Sequence, residues 1–226
     1  MRQASTRFSD EQRRQIRQAV AQAESRTSAE IVPAVATASG RYDRPEDIVG
    51  LWLAMIALAV AWWLLPAAPT ESGTWGGTPE WGRLLAMVAA AVAGFAAGTA
   101  VAGRVGWLRR LFTPRRQMRD EVAARARAVF FDRRVYRTVA GTGLVVYVSL
   151  YERGAAVLAD QSVLDKLGQA AIDELCAALT SRLREVHPAD AICEVIGLAG
   201  EKLATVLPRA EGDINELPDA LVILDG

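Results

Sequence analysis

The chain has one histidine, His187, among 226 residues. A single imidazole excludes any centre built on two or three of them, which covers most catalytic zinc sites. Two cysteines, Cys176 and Cys193, are too few for a disulfide framework or a four-thiolate site. Lysine is nearly missing as well: with only Lys166 and Lys202, the positive charge is almost all arginine. Net charge is absent altogether, because 26 basic side chains balance 26 acidic ones. That balance excludes a globally polybasic nucleic-acid binder and a strongly acidic chain, so no nucleic acid is expected as a partner. Residues 1–26 are polar and charged, without an apolar run, and no signal peptide is expected there.

What the chain has in surplus is hydrophobicity, and it is concentrated in two places. Residues 48–68 read IVGLWLAMIALAVAWWLLPAA and residues 84–103 read LLAMVAAAVAGFAAGTAVAG, neither with a charge. At helical rise each run is long enough to cross a hydrocarbon core of about 30 Å. A buried helix of a soluble core is the alternative. Against it, all six tryptophans (Trp52, Trp62, Trp63, Trp75, Trp81, Trp107) fall inside or beside the two runs. Indoles favour such positions at a bilayer interface. The reading is a transmembrane hairpin with spans 48–68 and 84–103 and an outer loop 69–83.

Ala90, Gly94, Gly98 and Ala102 recur every four residues in the second span. Such a stripe of small residues lets two helix backbones approach closely in lipid, either within the hairpin or across a homodimer. Arginines set the orientation. Arg41, Arg44, Arg104, Arg109, Arg110, Arg115, Arg116 and Arg119 flank the terminal side, whereas the outer loop has only Arg83. The positive-inside rule then expects a multi-pass protein of the inner (plasma) membrane with both termini in the cytoplasm. Arg104, Arg109, Arg110, Arg115, Arg116 and Arg119 are expected to lie against anionic headgroups, at about 1 kcal/mol per charge.

The remainder patterns as one mixed α/β domain. Ser9-Asp10-Glu11-Gln12 is a capping box that opens a helix marked by Ile16, Ala19, Val20 and Ala23. Residues 27–37 read as a strand, and Pro33 inside it points to an edge or a bulge. Thr113-Pro114 starts a helix to about Phe131. Residues 144–150, LVVYVSL, form the strongest strand, and a short turn leads into a second strand at 155–159. One helix is expected over 162–186, ending near His187, another from Pro188 to Leu207, and an edge strand over 220–224. Residues 1–47 thus supply the first helix and strand, 48–103 the hairpin and 104–226 the rest. Neither flank looks self-sufficient, so the strand before the hairpin should pair with strands after it.

Three carboxylates fall where chemistry is conceivable. Glu152 occupies the turn between the two best strands, Asp160 ends the second, and Glu30 lies in the first. Carboxylates at strand ends suit divalent-cation binding or general acid/base work. The competing reading makes Asp160 a helix cap, Glu152 a solvated turn residue and Glu30 the partner of an arginine. The oxygen-rich run 211–216 hints at calcium but lacks the spacing of a twelve-residue loop. Ser149 has no glycine elbow around it, and Gly141-Thr142-Gly143 precedes a strand instead of following one. Neither therefore supports a serine triad or a phosphate loop. Charge is also polarised along the chain. Residues 104–137 carry eleven basic and three acidic side chains, net +8, and residues 138–226 carry six and fourteen, net −8.

Four motifs occur in a telling order: Thr27-Ser28-Ala29-Glu30-Ile31-Val32; Gly143 followed by Tyr147-Val148-Ser149 and Glu152-Arg153; Val157-Leu158-Ala159-Asp160; and Asn215-Glu216-Leu217-Pro218-Asp219. The set resembles the TPM-domain family, most of all its bacterial membrane-protein branch, in which a transmembrane hairpin interrupts the domain. The resemblance spans residues 8–225 and implies an α/β/α sandwich with a small mixed sheet. Members of the family include an acid phosphatase and proteins linked to calcium binding, photosystem repair or receptor modulation. Two functions follow as expectations. One is a membrane-tethered cytoplasmic interaction module that binds a membrane-protein partner and could take Ca2+ or another divalent cation. The other is a membrane-bound phosphatase-like hydrolase, which rests on the resemblance alone.

Overall fold

Residues Glu30–Ala36 form strand β1, and all seven are buried. β1 lies parallel to β2 (Gly143–Ser149), with Glu30 opposite Gly143 and Ala36 opposite Ser149. β3 (Gly154–Ala159) returns antiparallel to β2, and the three-residue β4 (Val222–Leu224) runs parallel to the end of β1. The sheet order is β3-β2-β1-β4. Near-continuous apolar runs in β1 and β2 are what a strand covered on both faces requires. This is a computed structural model, and it describes residues 3–40, 44–65, 80–105 and 113–225. The chain divides into two compact units, Met1–Gly40 with Arg115–Gly226, and Arg41–Pro114.

In the first unit a short helix α1 (Ala4–Arg7) precedes α2 (Asp10–Glu24), whose capping box joins Ser9 and Gln12. Ile31 and Val35 of β1, with Leu144, Val146 and Val148 of β2, face one layer of helices. That layer holds α2, α6 (Gln161–Leu167), α7 (Gln169–Arg182) and α8 (Pro188–Val206). Val32, Ala34, Ala36, Val145 and Tyr147 point the other way, onto Val122, Ala126 and Val129 of α5 (Arg115–Asp132). The strand period of two thus divides the core into two clusters on opposite faces of the sheet.

Three expectations need correction. Pro33 sits in an inner strand, neither at an edge nor at a bulge. Glu30 donates to Thr142 and Ala36 accepts from Leu150, so even-numbered residues bond towards β2. Pro33 therefore turns its missing N–H towards the β4 side, where β4 pairs only from Ala34 onward. The single helix over 162–186 is two, broken at Gly168, whose φ of 83° is a glycine conformation. His187 begins a helix instead of ending one. Its Nδ1 accepts from the Ala189 amide at 3.2 Å, capping α8 ahead of Pro188.

The second unit is a pair of helices, α3 (Arg44–Leu64) and α4 (Glu80–Arg104). Over Glu46–Leu64 and Trp81–Arg104 both are long and apolar enough to cross a membrane. Gly94 and Gly98 pack inside this pair. A Cβ on Gly98 would lie 2.7 Å from Gly50 Cα, and one on Gly94 would lie 2.8 Å from Ala57 Cβ and the Leu53 carbonyl. Ala102 is buried and Ala90 half-buried on the same helix. Leu51, Trp52, Met55, Ile56, Trp63 and Val92 are all exposed, unlike the side chains of a soluble core helix. The Arg83 guanidinium stacks 4.5 Å above the Trp62 ring, an arrangement suited to an interfacial belt.

Candidate functional site

Glu30, Glu152 and Asp160 do not share a cleft. Glu30 opens β1 opposite Gly143, and Asp160 follows β3 at that same end, its N–H donating to the Gly143 carbonyl at 2.8 Å. Glu152 lies past the far end of β2, where it accepts a hydrogen bond from Ser149. Seven strand residues separate the two ends, roughly 20 Å at strand rise. The three therefore cannot act as one set, and Glu30 and Asp160, at the same end, stand on either side of β2.

Each of the three instead receives backbone amides. Glu30 takes the N–H groups of Glu216 and Leu217 at 3.1 and 3.2 Å, which fastens the 208–219 loop to the head of β1. Burial raises the Glu30 carboxyl above its ordinary range. The two amides work against that shift, and the nearby charges of Glu216 and Asp213 add to it. Asp160 Oδ1 accepts from Gln161 at 2.7 Å, the helix-cap role. Glu152 Oε1 accepts from Ser39 at 2.8 Å and Gly40 at 3.2 Å, while Oε2 takes the Ser149 hydroxyl. Ser39 Oγ also meets the Tyr147 hydroxyl at 2.9 Å. Glu152 is buried, not a solvated turn residue, and it fixes the chain just beyond β1. Burial pushes the Tyr147 hydroxyl up, and the Ser39 hydrogen bond partly offsets this.

A fourth carboxylate, Glu24, is the most perturbed among the described residues and was not among the candidates. Its Oε1 accepts from the Ile31 amide at 2.8 Å, on the β4 side of β1 where no strand residue is available. Its Oε2 accepts from Asn215 Nδ2 at 3.1 Å, and Asn215 also donates to Asp219. Burial pushes Glu24 up to about 8. The Ile31 amide counters that, Glu30 and Asp219 reinforce it, and Arg209 lowers it slightly. A signal existed in the sequence: Glu24 follows Val20 by four residues and so falls on the apolar face of α2. Glu24, Glu30, Asn215 and Asp219 together tie the 208–219 loop to the sheet.

The run 211–216 is likewise engaged within the protein. Glu216 accepts the Val139 amide at 3.0 Å, and Asp213 pairs with Arg209 at 3.8 Å. Among the described residues no group of three or more His, Cys, Asp or Glu side chains is placed to hold a metal. Cys176 and Cys193 are half-buried, and burial raises both thiols above their ordinary range. Of the arginines beside the hairpin, Arg115, Arg116 and Arg119 are exposed on the first turns of α5. Arg104 donates to the Ala100 carbonyl at 3.2 Å, and Arg109 and Arg110 lie outside the described residues.

No family model matches the chain, and no curated protein matches it in sequence. The chain is similar in fold to the solved NMR structure of the BA42 protein from the psychrophilic bacterium Bizionia argentinensis. The TM-score is 0.54 at 16% identity, over 95% of this chain and 94% of that one.

Proposed function

We propose that the chain is a membrane-anchored α/β module of the TPM type that works by binding, with the phosphatase-like hydrolase as the competing reading. In this reading α3 and α4 cross the inner membrane, and the α/β unit and both termini lie in the cytoplasm. The observation that carries it is the α3–α4 pair, whose large apolar side chains face outward along its length. Lipid removes that surface from water, whereas leaving it in water would expose apolar area at roughly 25 cal/mol per Å2. The arginines on the terminal side fit the same orientation through the positive-inside rule. Binding is favoured over turnover because Glu30, Glu152 and Asp160 are spent on backbone amides at two ends of a strand. A divalent cation at any of them would have to displace those donors.

The anchoring is tested by alkaline extraction of membranes, from which the chain should not be released, and by a reporter fused after Gly226. Activity of the reporter only in the cytoplasm is expected, and a periplasmic signal would reverse the orientation. Saturable turnover of a phosphate ester by the purified chain, abolished by D160N or E152Q with the fold intact, would establish the hydrolase instead. Calcium titration of the detergent-solubilised chain should leave the thermal midpoint unmoved unless a cation site forms.

A further inference from the structure

The end of α5 presents an apolar cluster to solvent that the core does not need. Phe131 is 61% exposed, Tyr136 44% and Val139 93%. The Phe131 ring packs against Tyr136 at 5.5 Å between centroids and against Phe130 at 5.8 Å, and Phe130 is partly buried in the core. A 3-10 turn over Val135–Arg137 follows α5. Val135 and Thr138 are buried in that turn, which throws Tyr136, Arg137 and Val139 outward. Two bonds fix the shape. The Val139 amide donates to Glu216, and the Thr142 amide donates to Thr138 Oγ1 at 2.8 Å. Arg133, Arg134 and Arg137 are all exposed around the cluster. The same face continues back along α5 through Arg116, Asp120, Ala124, Arg127 and Phe131, all exposed, with Asp120 its one acidic member.

We propose that this tip is a second, peripheral contact with the bilayer. Phe131, Tyr136 and Val139 enter the boundary between headgroups and acyl chains, while Arg133, Arg134 and Arg137 bind anionic headgroups. The inference rests on the membrane-anchored reading and adds to it a docked orientation of the α/β unit. Two observations select lipid as the occupant. The charge is complementary, since within this unit residues 115–137 carry eight basic and three acidic side chains, net +5. The reach is bounded: α4 ends at Arg104 and α5 begins at Arg115, a connection of at most about 40 Å, and α5 adds about 24 Å before Phe131. A surface tethered within that reach acts at raised effective concentration, so a modest contact suffices. Aromatic rings beside arginines are the composition that interfacial segments use.

The test uses the full chain in lipid nanodiscs of phosphatidylcholine alone or mixed with phosphatidylglycerol. Val139→Cys is labelled with an uncharged thiol reagent and read by peptide mass, with Cys176 and Cys193 as internal standards. Leu198→Cys, on α8 in the opposite helix layer, reports exposure away from the tip. In anionic discs labelling of Val139→Cys should slow by about tenfold relative to Leu198→Cys, as expected of a docked state favoured by several surface charges. Adding R133Q, R134Q and R137Q should restore it, since each charge is worth roughly fivefold in the docked ratio and the three about 100-fold. Equal labelling ratios in the two lipids would overturn the proposal. So would protection that appears only in discs holding two copies, which would assign the tip to a contact between copies. A chain that fails to co-elute with discs at all would overturn the anchored reading itself, a separate result.

Discussion

Glu24→Gln isolates the largest shift of ionisation among the described residues. In the folded chain the Glu24 carboxyl is held up to about 8 from an ordinary 4.5, chiefly by burial. Below pH 4.5 both folded and unfolded chains keep that proton, and stability does not change with pH through this group. Above it the unfolded chain releases the proton while the folded chain retains it, so stability falls as pH rises. The fall ends near pH 8, where the folded carboxyl ionises too. At about 1.4 kcal/mol per pH unit the ceiling is roughly 5 kcal/mol, and residual screening around the carboxyl reduces the expected loss to about 2–3 kcal/mol.

Glutamine removes this dependence at a small constant penalty. Its Oε1 can still accept from Ile31, but its amide then faces the Asn215 amide. Asn215 would have to turn its carbonyl inward and give up its bond to Asp219, at a cost of about 1 kcal/mol. E24Q should therefore melt slightly lower than the parent near pH 5.5 and clearly higher near pH 8.5. Glu30 gives the parent a slope of the same sign, and it persists in E24Q. The difference between the two profiles therefore isolates Glu24. Far-UV circular dichroism in micelles is the suitable assay, because all six tryptophans belong to the hairpin and its flanks. Parallel pH profiles for the two chains would refute the reasoning, since they would mean that Glu24 titrates normally.

Gly98→Ala should loosen the α3–α4 pair by about 1–3 kcal/mol, because the new methyl would lie 2.7 Å from the Gly50 backbone. Gly103→Ala, with its nearest neighbour at 3.7 Å, should be neutral, and equal effects in a cross-linking or proteolysis assay would count against the packing account. Glu152→Ala strands the Ser39 and Gly40 amides and the Ser149 hydroxyl, and should lower stability by roughly 3 kcal/mol, with E152Q about half as damaging. An unchanged melting curve for E152A would remove its anchoring role. Replacing residues 41–114 by a short Gly/Ser linker should yield a soluble, folded α/β unit by size exclusion and circular dichroism. A Cβ on Gly40 would lie 2.8 Å from Glu121, six residues or about 9 Å along α5 from Arg115, so the gap is small.

Much of the layout was legible because it follows from periodicity and caps. The Ser9 capping box, the apolar run of β2 with its return into β3, and the Asp160 cap are local features, and each appears where its residues stand. What was not legible depends on partners distant in sequence. Pro33 is tolerated in an inner strand because β4 pairs with β1 only from Ala34 onward, a fact set almost two hundred residues later. His187 could be assigned to either flanking helix, and the Ala189 amide and Gln12 decide it for α8. Glu152 read as a surface turn because its donors, Ser39 and Gly40, lie on the far side of the hairpin in sequence. The small-residue stripe announced a close helix contact, with Gly50, Ala54, Ala57 and Ala61 as possible partners, but not whether it closed within the pair or across a dimer; Gly98 against Gly50 and Gly94 against Ala57 are contacts within the pair.

The position of the hairpin in the chain has a topological reason. β1 and β2 are adjacent and parallel, and a parallel pair cannot be joined by a tight turn; it needs a crossover of a dozen residues or more. α5 is that crossover helix, since Val122, Ala126 and Val129 pack on the face formed by Val32, Ala34, Val145 and Tyr147. The hairpin thus occupies the β1-to-α5 connection, a place where lengthening the chain adds closure entropy only slowly. Sheet register does not depend on that connection, because the chain beyond β1 is clamped before it leaves the unit. Ser39 and Gly40 are held by Glu152, and Ser39 also by Tyr147. The carboxylate that resembled a catalytic candidate is better understood as the clamp that lets an α/β domain carry two apolar helices in one of its loops.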